Sequence, residues 1–108
     1  MAKKIEFEFD DELYTLEYSR RTITTMERNG FVLEQIGEKP QTMIPMLFQG
    51  AFLMHHPRVK EETVNTIYKQ LSGKDELLKE LIECYRSTLE YLFDEPEEEE
   101  KKVKWRKA

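Results

Sequence analysis

Between residues 4 and 9 polar and apolar positions alternate: Ile5, Phe7 and Phe9 fall on one face, Lys4, Glu6 and Glu8 on the other. That is the pattern of a half-buried strand, whose successive side chains point to opposite sides. Asp10-Asp11-Glu12 reads as a turn. From Leu13 to Tyr18 the alternation resumes, with Tyr14, Leu16 and Tyr18 on one face and Leu13, Thr15 and Glu17 opposite, so the two runs predict a β-hairpin. A lone hairpin is marginal in water, and its Phe and Tyr face needs cover from the segments that follow.

Those segments carry helical spacing. Ser19 can cap a short helix bearing Ile23 and Met26, and Gly30 stands where a left-handed C-terminal cap is needed. Phe31 to Ile36 fits neither period: a further turn of helix and an irregular packed segment are both open. Thr42 to about His56 reads as helix, with Thr42 as cap, Pro45 in the first turn and Pro57 closing it. A third helix, from about Lys60 to Leu71, places Val64, Ile67, Tyr68 and Leu71 on one stripe and stops at Ser72-Gly73. The last runs from Asp75 as N-cap to about Phe93. Its wide apolar face holds Leu77, Leu78, Leu81, Ile82, Tyr85, Leu89, Leu92 and Phe93, and Lys79 with Glu83 and Arg86 with Glu90 stand opposite at i, i+4 spacing. The expected fold class is α+β: an N-terminal β-hairpin packed on a bundle of about four helices.

Past residue 93 the pattern changes. Six acidic residues, Asp94, Glu95 and Glu97 to Glu100, precede five basic ones, Lys101, Lys102, Lys104, Arg106 and Lys107. Charge blocks of this kind bury too little surface to offset ordering entropy. Residues 1–94 are therefore expected to form a single domain and residues 95–108 a disordered, flexible acidic-then-basic tail.

Length and charge narrow the function classes. A chain of 108 residues suits one core that buries roughly two thirds of the unfolded surface. The net charge of −5 and pI near 5.2 repel a nucleic-acid backbone, so no nucleic-acid partner is expected. Cys84 is the single cysteine, which excludes an internal disulfide and fits a reducing compartment. Met1-Ala2-Lys3-Lys4 leads directly into the alternating strand, without the apolar run of a secretory signal. The longest apolar stretch, Met43 to Met54, is interrupted by Pro45, Gln49 and Gly50 and is too short to cross a bilayer. A cytoplasmic protein without membrane contact is the expectation.

Candidate chemistry is sparse. His55 and His56 are adjacent, which on a helix sets their side chains about 100° apart and unsuited to one metal ion; an imidazolium favoured at a helix C-terminus is the plainer reading. Cys84 lacks a visible base or oxyanion site and reads as a core residue. Asp10, Asp11 and Glu12 lack the ligand alternation and glycine of a calcium loop. Gly30, Gly37, Gly50 and Gly73 are scattered singly and form no phosphate-cradling loop. No catalytic, metal or cofactor site is expected.

The segment Met43 to Met54 is more informative, because as a helix it is apolar nearly all round, with Gln49 the one polar interruption. Such a helix is either the buried centre of the domain or presents part of itself to a partner. Met43, Met46, Gly50 and Met54 share one side, and flexible thioethers suit a surface that accommodates varied apolar helices. The residues expected to meet a partner are Met43, Met46, Leu53 and Met54, with Tyr91 from the last helix.

Three stretches carry a resemblance: Phe7-Glu8-Phe9-Asp10 through Tyr14, Leu16 and Tyr18 to Met26-Glu27 and Gly30-Phe31; Thr42-Met43-Ile44-Pro45 to Phe52-Leu53; and Leu92-Phe93-Asp94-Glu95-Pro96. In the order and spacing of their aromatics they resemble the short tail-assembly-chaperone-like proteins of tailed phages and prophages in Gram-positive bacteria, over nearly the whole chain. Asp10-Asp11-Glu12 departs from the glycine expected at that turn in many relatives. The resemblance implies a non-enzymatic chaperone that binds the long, aggregation-prone tape-measure protein until tail tube subunits polymerise around it. In many phages a frameshifted longer form also recruits the tail tube protein. Homo-oligomers are compatible with it, and it brings no residue-level site. The alternative is a structural tail component, a connector or terminator, retained in the virion. A small regulator of nucleic acid or host enzymes is disfavoured by the acidic pI.

Overall fold

The computed structural model describes residues 3–94 and 103–108. Strands β1 (Lys4–Phe9) and β2 (Glu12–Glu17) pair antiparallel, with Ile5 opposite Leu16, Phe7 opposite Tyr14 and Phe9 opposite Glu12. The turn is therefore two residues long, and Glu12 belongs to the second strand. Asp10 and Asp11 both take positive φ, 51° and 62°. A two-residue connection needs that conformation, because its twist then matches the strands. Asp tolerates it through the local hydrogen bonds of its short carboxylate.

Helix α1 (Arg20–Arg28) is held at both ends by its own sequence. Ser19 Oγ accepts from the Thr22 N–H at 3.1 Å, and Thr22 Oγ1 accepts from the Ser19 N–H at 2.8 Å, a reciprocal cap that satisfies two otherwise orphaned donors. At the other end Gly30, with φ 99°, turns the chain. Its N–H donates to Glu27 and that of Phe31 donates to Met26, both at 3.0 Å, while the Phe31 ring is buried, the usual apolar companion of this cap. The undecided stretch after it is one 3₁₀ turn, Leu33–Gln35.

Helix α2 (Pro40–Gly50) begins earlier and ends earlier than its periodicity suggests. Pro40 takes the first helical position, where its fixed φ is preorganised and its missing N–H costs nothing, so Thr42 lies inside the helix instead of capping it. The far end is set by the hairpin. The Ala51 carbonyl, which a longer helix would offer to residue 55, accepts from the Glu17 N–H at 3.0 Å, and residues 51–55 continue as turns. The Leu47 carbonyl accepts from the buried Tyr18 hydroxyl at 2.5 Å. Tertiary partners thus replace the last helical turn.

Helix α3 (Glu61–Gln70) follows, and then α4 (Lys74–Leu89), which starts after the left-handed Gly73. Beyond Leu89 the backbone tightens into a 3₁₀ turn, Glu90–Leu92, and Leu92 and Phe93 are exposed, not part of the buried face. Lys79 lies 3.9 Å from Glu76, and Glu83 lies 3.6 Å from Lys3; both contacts are exposed and contribute little. The fold is α+β, a hairpin followed by four helices. Much of the expected tail, residues 95–102, falls outside the described residues; residues 103–108 form no regular element.

The α2 segment is the centre of this arrangement. Met43, Leu47, Phe48, Ala51 and Phe52 are buried against Tyr14, Leu16 and Tyr18 from the hairpin side, Ile23 and Met26 from α1, Val64 and Ile67 from α3, and Leu81, Cys84 and Tyr85 from α4. Because the helix starts at Pro40, Gln41 and Thr42 join Pro45 and Gln49 on its outward side. The helix therefore has a solvent-facing strip that its apolar middle conceals. Among the described residues no helix is long and apolar enough to cross a membrane.

Candidate functional site

Where α1 crosses α2 the backbones approach closely. Gly50 lies under Met26: an ideal Cβ there would sit 2.9 Å from Met26 Cγ and 2.7 Å from its Cε, closer still to Sδ. This contact forms the floor of an apolar groove of about 310 Å³. Met46 and Leu53, both half-buried, form its apolar wall, and Thr25, Asn29 and Gln49 supply polar groups. The lining follows from helical spacing. On α1, Met26 points inward with Ile23 while Thr25 and Asn29 flank it four apart; on α2, Met46 and Gly50 stand one turn apart with Gln49 beside them. A smaller groove of about 230 Å³ lies on the opposite flank of α2, where Ile44, Pro45 and Phe48 meet Val64 and Tyr68 of α3.

The structure brings together two of the five residues singled out by sequence, Met46 and Leu53. Met43 is only 4% exposed, and its Sδ accepts from the Val32 N–H at 3.5 Å, so it is core and offers no surface. Met54 is 44% exposed but lies in the turns after α2, outside the groove lining. Tyr91, 48% exposed, sits with its ring 4.7 Å beneath the Arg20 guanidinium, beside the start of α1. Met26, Thr25 and Asn29 were not anticipated. The one available signal was Gly50 within a helical run, since a helical glycine often marks a close approach.

The histidines serve the hairpin. His56 Nε2 accepts from the Thr15 N–H at 3.0 Å, which requires that nitrogen to be unprotonated, and the ring packs 4.9 Å from that of Tyr14. His55 Nε2 lies 2.8 Å from Glu17 Oε1. Each ring is engaged by a different group of β2, whereas the sequence reading placed both simply at a helix terminus. Among the described residues there is no group of three or more His, Cys, Asp or Glu side chains that could hold a metal ion.

The buried ionisable groups are held neutral. Burial pushes the Cys84 thiol above its usual range, with Glu80 adding and Lys3 opposing, the reverse of what an activated thiolate needs. The Tyr18 phenol is raised well above its ordinary value, by burial first and then by Cys84 and Tyr85. That of Tyr85 is pushed up to about 12 by burial, then by Glu27 and Glu34. Such phenols pack and donate hydrogen bonds.

A family model matches the chain from residue 1 to residue 108. The chain belongs to the DUF5055 family. That family is described as a domain of unknown function, so membership places the DUF5055 chain among relatives without assigning it a role. No curated protein and no solved structure matches it.

Proposed function

We propose that the chain is a non-enzymatic tail assembly chaperone of a tailed phage or prophage, acting in the bacterial host cytoplasm, and that its α1–α2 groove receives an apolar stripe of the helical tape-measure protein. The observation that supports this reading is the groove itself, in which half-buried Met46 and Leu53 stand over the Met26–Gly50 contact. Helix-in-groove recognition reads anchors one turn apart, and methionine side chains repack around differing anchors. The polar groups of Thr25, Asn29 and Gln49 supply hydrogen bonds at the margin. A net charge of −5 keeps a complex with a greasy client in solution. Recruitment of tail tube protein follows as a second step of the same proposal.

The test is co-expression with a phage tape-measure protein. The wild-type chain keeps the client in the soluble fraction, whereas Met46→Asp and Leu53→Asp, placed at half-buried positions, lose that activity while retaining the circular dichroism of the fold. Folded variants that solubilise the client as well as the wild type would overturn the placement. Mass spectrometry of purified virions separates the alternative: a chaperone is absent from the particle, and a connector or terminator subunit is present in it.

A further inference from the structure

Among the described residues strand β1 has a neighbour on one side only. In a hairpin closed by a two-residue turn the flanking pair exchanges both backbone hydrogen bonds. Ile5, Phe7 and Phe9 therefore direct their N–H and C=O groups at β2, and Lys4, Glu6 and Glu8 direct theirs away from it. On β2 the corresponding outward N–H groups of Thr15 and Glu17 are taken by His56 and by the Ala51 carbonyl. On β1 the outward groups of Lys4, Glu6 and Glu8 meet no partner among the described residues, and the sheet has two strands. An edge of this kind is a template for an added strand. Its outer face is charged, with Glu6 and Glu8 exposed, and its inner face carries half-buried Ile5, Phe7 and Phe9.

The chain itself contains a segment with the complementary pattern. In Val103-Lys104-Trp105-Arg106 the apolar and basic residues alternate, with Lys107 following as a further basic residue at the end of the segment, and the apolar ones stand without cover: Val103 is 90% exposed and Trp105 83%. Extended beside β1, the segment would set Val103 and Trp105 next to Ile5, Phe7 and Phe9 on the core side of the sheet. Lys104 and Arg106 would then lie across from Glu6 and Glu8. Both demands of strand pairing, apolar continuity on one face and opposite charge on the other, are met by one register.

We propose that Val103–Lys107 of one copy adds to the β1 edge of a second copy as a third strand. The segment stands clear of its own body. The nine peptide units from Asp94 to Val103 reach at most about 30 Å, enough to bridge neighbours. This self-association is independent of the α1–α2 groove.

Trp105 is the only tryptophan, so its emission reports on this segment alone. In a dilution series of the full chain, emission shifts to shorter wavelength as concentration rises, in step with an increased sedimentation coefficient, and added salt weakens both. Trp105→Asp, at an exposed position, is monomeric with unchanged circular dichroism. Lys104→Glu with Arg106→Glu weakens self-association roughly tenfold, and mixing that variant with Glu6→Lys, Glu8→Lys restores it. A chain that stays monomeric, self-association with Trp105 still in a solvent-like environment, or a concentration-independent shift in a monomer (docking on the same chain) would each overturn the proposal.

Discussion

Replacing Gly50 by alanine tests the packing of α1 on α2, because two opposed effects of known size meet at one atom. In an open helix the change stabilises by up to about 1 kcal/mol, since alanine restricts the unfolded chain and glycine does not. Here the new methyl would fall 2.9 Å from Met26 Cγ, an atom near the root of that side chain, so rotation of the thioether end alone does not clear it. Overpacking of this kind costs about 1–3 kcal/mol. Met26 can relieve it only by swinging towards the groove and giving up burial. The net expectation is destabilisation of about 1–2 kcal/mol, read as a lower urea midpoint at unchanged slope. Met26→Ala alone costs about 2–5 kcal/mol but removes the obstructing atoms. In that background Gly50→Ala becomes neutral or stabilising, and the double-mutant cycle shows favourable coupling. If Gly50→Ala stabilises the wild-type chain, or costs the same with and without Met26, the helices do not approach as described.

The hairpin and core make three further predictions. Asp11→Gly relieves a positive φ of 62° and creates the Asp-Gly pair this turn prefers, raising stability by about 0.5 kcal/mol in thermal unfolding. His56→Ala removes the acceptor for the Thr15 N–H; a loss of about 1–2 kcal/mol and faster exchange of the Thr15 amide are expected, with His56→Gln recovering part of both. In alkali, Tyr85 stays protonated in the fold up to about 12 against 10.0 in the unfolded chain. Its contribution is therefore whole below pH 10, lost progressively between 10 and about 12, and visible as a cooperative rise in tyrosinate absorbance together with loss of helix; a gradual, non-cooperative rise would contradict it.

Where local chemistry decides the outcome, the chain is readable from its sequence. The alternation from Ile5 to Tyr18, the Ser19 cap and the Gly30 terminus all act through neighbours a few residues away, and the structure reproduces them. One missed boundary, the end of α2, is set by Glu17 and Tyr18, which take the Ala51 and Leu47 carbonyls from more than 25 positions away in sequence. Periodicity along α2 carries no trace of those partners. The same limit applies to the groove. Met46 and Leu53 were legible as apolar residues on a helix without a clear polar face, but Met43 has the same character and is buried. Which methionine faces inward depends on where α1 lies, and that is fixed by Gly50 and Met26 meeting across 24 residues of chain.

Methionine-methyl NMR addresses the central claim most directly, since the chain has five methionines and, among the described residues, only Met26 and Met46 line the α1–α2 groove. On titration with a helical segment of the tape-measure protein, the methyl signals of Met26 and Met46 shift and saturate together while that of Met54 stays in place. Saturable binding that moves Met54 and leaves Met26 and Met46 unchanged, or no binding at all, would contradict the assignment of the groove.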